Sequence, residues 1–185
     1  PPRLLAYGAN PERKGTDRIV RAWGRLGEER GDAVLTITGV EPSRATRELR
    51  RAGVELPPAV ELPGPLPRAQ QLQLLRDASA FVSASRWEES GIAQLEALAA
   101  GVPLVTTPAR GAYEAEPLAR ELAPELVVPE DDPVQLARAL SAALRMSAER
   151  RARYRDEAAR LLEPFGRSAV DRAMAEQVLP ALLES

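Results

Sequence analysis

The chain has 185 residues, of which 44% are hydrophobic and 28% charged, so it can bury the core of a folded domain. Its formal net charge of −2 provides no overall basic field for a nucleic-acid backbone, so we expect no nucleic-acid partner. It contains no cysteine and no histidine, which excludes disulfides, thiolate or imidazole metal sites and Ser-His-Asp catalysis within these residues.

Strand and helix signals alternate along the chain. Short apolar runs that stop at a glycine, a proline or a polar turn predict strands at 4–7, 33–38, 59–62, 80–83, 102–106 and 126–128. Apolar residues at helical spacing predict helices at 15–26, 42–53, 72–78, 91–100, 133–144, 148–162 and 168–179. Ser90 and Ser168 are the expected N-caps of two of these helices, and Gly101 the expected end of the helix that Ser90 caps.

This alternation predicts an α/β fold, a Rossmann-like parallel sheet with helices on both faces, in a single domain over residues 1–185. Such sheets bind ligands at the carboxyl ends of their strands. The loops of interest are therefore those at 8–15, 39–43, 62–66, 83–91 and 106–114. The chain opens at Pro1 rather than at a methionine, so we expect it to be a segment of a longer protein.

The segment from Ser85 to Glu96 carries the strongest chemical signal. Ser90 and Gly91 open a helix whose free N–H groups and dipole favour an anion such as phosphate. Glu88 and Glu96 flank that position, and carboxylates there would accept hydrogen bonds from hydroxyl groups. A ligand with phosphates between two sets of hydroxyls is a nucleotide-sugar. The alternative is that both glutamates are solvated surface residues that suit the helix dipole.

The turn after the first strand contains two adjacent cations, Arg13 and Lys14. Cations are unfavourable by roughly 0.3–1 kcal/mol at a helix N-terminus, so an external anion such as a diphosphate would offset them. Among the 25 lysines and arginines Lys14 is the single lysine, and its compact ammonium suits a point contact with phosphate. The alternative is a solvated loop whose charges are screened by salt.

Several segments, taken in order, resemble the carboxyl-terminal, nucleotide-sugar-binding half of family 4 retaining glycosyltransferases, which have the GT-B fold. Arg13-Lys14-Gly15 follows the first strand, and an E-x7-E element, Glu88 to Glu96, runs into Ala97-Leu98-Ala99-Ala100-Gly101-Val102-Pro103. Gly111-Ala112-Tyr113-Glu114 resembles the Gly-Gly-x-x-Glu turn of the family. Further segments are similar in order and spacing, at 37–39, 60–64, 81–85, 104–105, 127–132 and 136–137.

The chain departs from the family pattern at three places, one of which is a late aromatic motif reduced to Phe165 followed by Gly166. Gly8-Ala9 stands where members often have Gly-Arg, and Arg13 beside Lys14 resembles the Arg-Lys form of other members. Glu88-Glu89-Ser90-Gly91 replaces the common Glu-Gly-Phe-Gly, which adds a negative charge near the expected phosphate site.

The resemblance implies a diphosphate site. Lys14 and Arg13 would neutralise the donor diphosphate, and with it the charge of the leaving group during catalysis. Backbone N–H groups around Ser90, Gly91 and Ile92 would hold the phosphates and face the sugar. The family needs no metal for this step, so we expect no metal and no other cofactor.

The resemblance also assigns the rest of the donor. Glu96 would bind the ribose hydroxyls, and Glu88 would act in catalysis against the transferred sugar. The stretch from Leu62 to Gly64 would lie along the base, and the loop at Gly39 would border the nucleotide.

By this resemblance the chain is the donor-binding half of a hexosyltransferase that transfers a sugar from an NDP-sugar with retention of configuration. An N-terminal domain outside this chain would bind the acceptor, a glycan, a lipid or a small molecule. The chain alone would bind the donor weakly and be inactive. We expect a cytoplasmic protein, with peripheral membrane association as an alternative. Two other functions stay open: a non-catalytic, partner-binding domain of the same fold, and a nucleotide-sugar 2-epimerase.

Overall fold

The computed structural model describes residues 1–129 and 131–179. At their centre is a five-stranded parallel sheet. The strands, in chain order, are β1 (Arg3–Tyr7), β2 (Val34–Thr38), β3 (Val60–Gly64), β4 (Ala80–Ser83) and β5 (Leu104–Thr106). Their order across the sheet is β3-β2-β1-β4-β5, and every neighbouring pair is parallel. The strand order therefore reverses between β1 and β4, which is where open α/β sheets form a ligand crevice.

Helices follow the strands along the chain. They are α1 (Thr16–Leu26), α2 (Pro42–Arg51), α3 (Arg68–Asp77), α4 (Ile92–Ala99), α5 (Ala115–Leu122), α6 (Pro133–Leu144), α7 (Ala148–Leu162) and α8 (Arg167–Ala173). Helix α1 packs against α2 and α6, whereas α4, α5 and α7 pack against one another. These two groups cover the two faces of the sheet, as right-handed crossovers require. The predicted fold class is confirmed.

The core explains why the helices dock where they do. The apolar face of α1, with Ile19, Trp23 and Leu26, is buried as its helical spacing predicts. The indole N–H of Trp23 donates to the carbonyl oxygen of Pro58 at 3.1 Å, so this large side chain is buried without an unpaired donor. On the other side of the molecule, the hydroxyl of the fully buried Tyr154 accepts a 3.1 Å bond from the backbone N–H of Leu104.

Two predicted N-caps are wrong. Helix α4 is capped by Gly91, which has the left-handed φ of +65°, and no side chain caps it, so Ser90 lies one residue before the cap. Helix α8 begins at Arg167, which places Ser168 inside it. Gly101 does follow the end of α4 with a φ of +67°, as predicted.

The predicted strand at 126–128 is also wrong. Pro124–Leu126 forms a 3-10 turn, and Val127 makes only an isolated parallel bridge to Thr106. Helix α5 was not predicted. Its Pro117 lies in the first turn, where no intrahelical N–H bond is lost. Glu130, within the matched segment 127–132, lies outside the described residues.

Within residues 1–129 and 131–179, every helix is too short or too polar to cross a membrane.

Candidate functional site

The loops that follow β1 and β4 meet at the carboxyl edge of the sheet. Gly15 begins α1 in the left-handed conformation, with a φ of +63°, and a Cβ on it would lie 1.9 Å from the carbonyl oxygen of Ala84. The backbone N–H of Arg86 donates to the carbonyl oxygen of Arg13 at 2.8 Å. Close backbone approach therefore joins the two loops, and it places the residue before Gly15, Lys14, beside the loop after β4.

Lys14, which is half-buried, and Glu88, which is buried, form an ion pair with 2.7 Å between the Lys14 Nζ and the Glu88 Oε1. Glu88 is 3% exposed, and its Oε1 also accepts bonds from the Ser85 hydroxyl at 2.6 Å and the Gln94 amide at 2.8 Å. Burial acts to raise the pKa of Glu88, but the bonds from Lys14, Ser85 and Gln94 outweigh it and hold that pKa below its ordinary value. Glu88 is therefore a carboxylate at neutral pH.

This pairing brings together two residues to which the sequence assigned different parts of the ligand. The Glu88 carboxylate points at Lys14, whereas the family resemblance implies that Glu88 contacts the transferred sugar. A lysine ammonium has three N–H donors, so the bond to Glu88 leaves two for other partners. Lys14 also lines a recess of about 10 Å³ with Tyr7, Ser85 and Gln94, which is about the space of one water molecule.

The second glutamate of the E-x7-E element is paired as well. Arg68, the first residue of α3, donates from Nη1 to the Glu96 Oε2 at 2.9 Å, and its Nη2 donates to the Glu96 Oε1. These bonds form the planar fork typical of arginine and carboxylate. Arg68 was not predicted as a site residue, although it is a cation at a helix N-terminus, the same signal that singles out Lys14.

Glu96 and Arg68 line a cavity of about 360 Å³ beside the recess at Lys14. Gly39, predicted to border the nucleotide, is also part of its wall and lies against the ring of Tyr7. Tyr7 and Ala93 line both the cavity and the recess, so the two spaces adjoin. Lys14 and Glu96 therefore stand on either side of one shared wall.

The amino end of α4 opens between the two glutamates. Ser90 and Ile92 are exposed, whereas a Cβ on Gly91 would lie 3.0 Å from the ring of Tyr113. The Tyr113 hydroxyl forms a 2.5 Å hydrogen bond with the Thr106 hydroxyl, and burial raises the pKa of Tyr113 far above its ordinary value. The buried ring of Tyr113 thus packs beneath the start of α4. No side chain caps the first N–H groups of this helix.

Other predicted site residues lie close by. The Arg13 Nε donates to the carbonyl oxygen of Trp87 at 3.3 Å, and its guanidinium is 3.7 Å from Glu89. Leu62 lies within β3, which continues to Gly64, and its side chain packs against the core.

The cavity wall on the β3 side is instead formed by Pro65 and Leu66, the two residues after the strand. The stretch from Leu62 to Gly64, predicted to lie along a base, is not among the residues that line this cavity. Gly64 lies next to the loop at Gly39, since its carbonyl oxygen accepts a 3.1 Å bond from the N–H of Gly39.

The acidic residues before α6 have a structural role. Asp132 caps the helix, accepting a 2.7 Å bond from the backbone N–H of Val134, as its position before Pro133 predicts. In the part of the chain that the structure describes, no cluster of three or more aspartates and glutamates has the geometry of a metal site.

Comparisons with known proteins identify related sequences. The family model of glycosyl transferases group 1 matches residues 1–161. Glycogen synthases from two strains of Mycobacterium tuberculosis, CDC 1551 / Oshkosh and ATCC 25618 / H37Rv, are each 34% identical over 123 residues, which is 62% of this chain and 28% of the relative. The chain therefore spans less than a third of these relatives.

Solved structures share the fold. WaaG, a glycosyltransferase involved in lipopolysaccharide biosynthesis, has a TM-score of 0.68 and 26% identity, over 86% of this chain and 42% of WaaG. The α,α-trehalose 6-phosphate synthase from Burkholderia multivorans has a TM-score of 0.72 over 100% of this chain and 44% of its own, and its 19% identity shows the fold alone. These neighbours confirm the predicted fold class, one half of a GT-B fold. Since the family model covers most of its length, the chain belongs to the glycosyl transferases group 1 family.

Proposed function

We propose that this chain is the donor-binding half of a retaining glycosyltransferase that moves a sugar from a nucleoside-diphosphate-sugar to an acceptor. The observation that carries the proposal is the convergence, where the strand order reverses, of Lys14, the uncapped amino end of α4 and Glu96. A cation and free N–H groups suit a diphosphate, and a carboxylate beside a cavity suits hydroxyl groups.

The diphosphate would lie between Lys14 and the start of α4. Lys14 keeps two donors after its bond to Glu88, and the N–H groups at the start of α4, which no side chain caps, add the positive end of a helix dipole. Arg13 stands next along the loop. Preorganised charge of this kind stabilises a leaving diphosphate without a metal, so we propose metal-independent transfer.

The nucleoside would occupy the cavity of about 360 Å³, with its ribose at Glu96 and its base between Gly39 and Leu66. The transferred sugar would then lie on the side of Glu88. The two curated relatives that are 34% identical over 123 residues are named glycogen synthase, which supports a hexosyl donor.

We propose that the acceptor site lies outside this chain, which spans 42% of WaaG and 44% of the trehalose 6-phosphate synthase. The acceptor would be a glycan, a lipid or a small molecule. We propose that the isolated chain binds the donor and does not transfer it.

Titration of the chain with UDP, GDP and ADP, followed by backbone amide shifts, tests the diphosphate site. We expect shifts centred on Lys14, Gly91 and Glu96. The double variant Lys14→Met/Glu88→Gln removes both charges of this ion pair and leaves no unpaired carboxylate. It should weaken binding by roughly ten-fold or more, because a hydrogen bond from a charged donor is lost.

Arg145→Ala is the matched control, because Arg145 is an exposed cation at the end of α6. It should leave the nucleotide affinity unchanged. If the double variant also binds as tightly as the wild type, the diphosphate assignment is wrong. If none of the three nucleotides binds, the non-catalytic alternative gains support.

A further inference from the structure

Arg68 stands at the amino end of α3, where its charge opposes the helix dipole. Its side chain is 61% exposed, so it does not fill the core. It takes no part in capping α3, since the start of that helix has no side-chain cap. Its guanidinium meets both oxygens of Glu96 across the gap between two helices. The position of Arg68 is therefore explained by Glu96 and not by the helix that carries it.

The fork constrains the glutamate in a way that a single contact would not. Two parallel N–H bonds from a rigid guanidinium fix the plane of a carboxylate as well as its position. The Glu96 side chain is 27% exposed and lines the cavity, so without Arg68 it would be free to change rotamer. A carboxylate accepts about four hydrogen bonds, and the fork uses one position on each oxygen.

We infer that Arg68 is a positioning residue for ribose recognition: its guanidinium fork orients the Glu96 carboxylate, whose remaining acceptor positions receive the ribose hydroxyls. This inference rests on the proposed function, because it takes Glu96 as the ribose ligand. It makes Arg68 part of the selection of ribonucleotide over deoxyribonucleotide donors.

The test compares UDP, its 2′-deoxy counterpart and inorganic pyrophosphate by calorimetry, with ADP or GDP in place of UDP if the wild type binds one of them more tightly. We expect the wild type to prefer the ribonucleotide by about ten-fold, and Arg68→Ala to reduce that preference to about three-fold or less. Arg68→Lys keeps the charge without the fork, so it should lose the preference too.

Two controls separate positioning from other roles. Arg76→Ala removes an exposed arginine from the last turn of the same helix, and it should keep the wild-type preference. Pyrophosphate has no ribose, so its affinity should be the same in the wild type and in Arg68→Ala. A weaker pyrophosphate affinity in Arg68→Ala would mean that Arg68 binds phosphate, and it would overturn the inference.

The remaining outcomes distinguish this inference from the proposed function. If Glu96→Gln loses the ribose preference and Arg68→Ala keeps it, the inference fails and the ribose site stands. If Arg68→Ala binds the ribonucleotide more tightly than the wild type, Arg68 competes with the ribose and the inference also fails. If the wild type shows no preference for the ribonucleotide, both the inference about Arg68 and the proposed ribose site at Glu96 are wrong.

Discussion

Each glutamate of the E-x7-E element is matched by a cation from a different part of the chain. Glu88 bonds to Lys14, from the loop after β1, and Glu96 bonds to Arg68, from the start of α3. The pairs are neutral as units, so the two carboxylates repel a nearby phosphate far less than bare charges would. Carboxylates that accept hydrogen bonds from hydroxyl groups can therefore lie close to a site that binds an anion.

At this scale, Glu88→Gln separates a contact with the sugar from a contact with Lys14. Glutamine keeps the shape and removes the negative charge from beside Lys14, so we expect UDP to bind roughly three- to ten-fold more tightly. A UDP-sugar should gain less than UDP, because any bond from its sugar to the carboxylate is weakened. Calorimetry with both ligands measures the two effects.

Glu89→Gln is the control for that prediction, because Glu89 is 76% exposed in its side chain and 3.7 Å from Arg13. A pair this exposed contributes little, so the UDP affinity should change by less than about two-fold. A Glu88→Gln variant that binds UDP like the wild type would show that the ion pair does not limit the phosphate affinity of Lys14.

Among the elements, the site depends on how three loops after strands are joined. The loop after β1 bonds to the loop after β4, through Arg86 and Arg13. The N–H of Glu88 donates to the carbonyl oxygen of Arg110 at 2.8 Å, which adds the loop after β5. The loops are held by backbone bonds, so their spacing depends on which residues allow close approach.

Gly15→Ala tests that dependence. The new Cβ would lie 1.9 Å from the carbonyl oxygen of Ala84, so the loop that carries Lys14 has to move away from β4. We expect a loss of thermal stability and a clear loss of UDP affinity. Gly53→Ala is the matched control, because Gly53 has a similar φ of +68° and open space around it.

Gly53→Ala should have only the conformational cost of about 1–2 kcal/mol, with the UDP affinity unchanged. Thermal melts and calorimetry of both variants make the comparison. Equal losses of stability in the two variants, with UDP affinity retained in both, would contradict the role of this backbone contact.

The elements also show what local sequence signals can and cannot predict. Strands β1 to β5 and helices such as α1 were predictable, because an apolar face repeats at a spacing that is visible within one segment. The start of α4 was not, because glycine in the left-handed conformation replaces the side-chain cap that Ser90 would supply. Arg68 was missed because its partner Glu96 lies on another helix, and only the packed fold brings them together.

For the whole molecule, the chemistry of its charged groups sets the response to pH. The chain lacks histidine, the side chain that usually titrates between pH 5 and 8. Several carboxyls have partners that hold them in the charged form. The pKa of Glu61 is lowered mainly by its hydrogen bond from Arg3, and the bonds from Arg86 lower the pKa of Asp17 despite the opposing effect of burial.

These lowered values predict stability that is flat near neutrality and lost in acid. A carboxyl whose pKa is lower in the folded state stabilises the protein above its unfolded value, which is 4.5 for Glu88 and 3.8 for Asp17. Below those values the unfolded chain takes up protons first, so the free energy of unfolding decreases as the pH falls through the folded pKa. Calorimetric melting should give a constant Tm from pH 6 to 8 and a Tm that decreases below about pH 4.5.

The variant Asp17→Asn tests whether paired carboxyls cause that loss. Asp17 is 8% exposed and receives two bonds of 2.9 Å from Arg86, so the variant should be less stable than the wild type at pH 7. It has one acid-sensitive group fewer, and its Tm should therefore decrease less steeply between pH 4.5 and 3. If the Tm of the two proteins falls equally steeply in acid, the loss of stability belongs to other groups. A wild-type Tm that falls between pH 8 and 6 would contradict the predicted constant stability near neutrality.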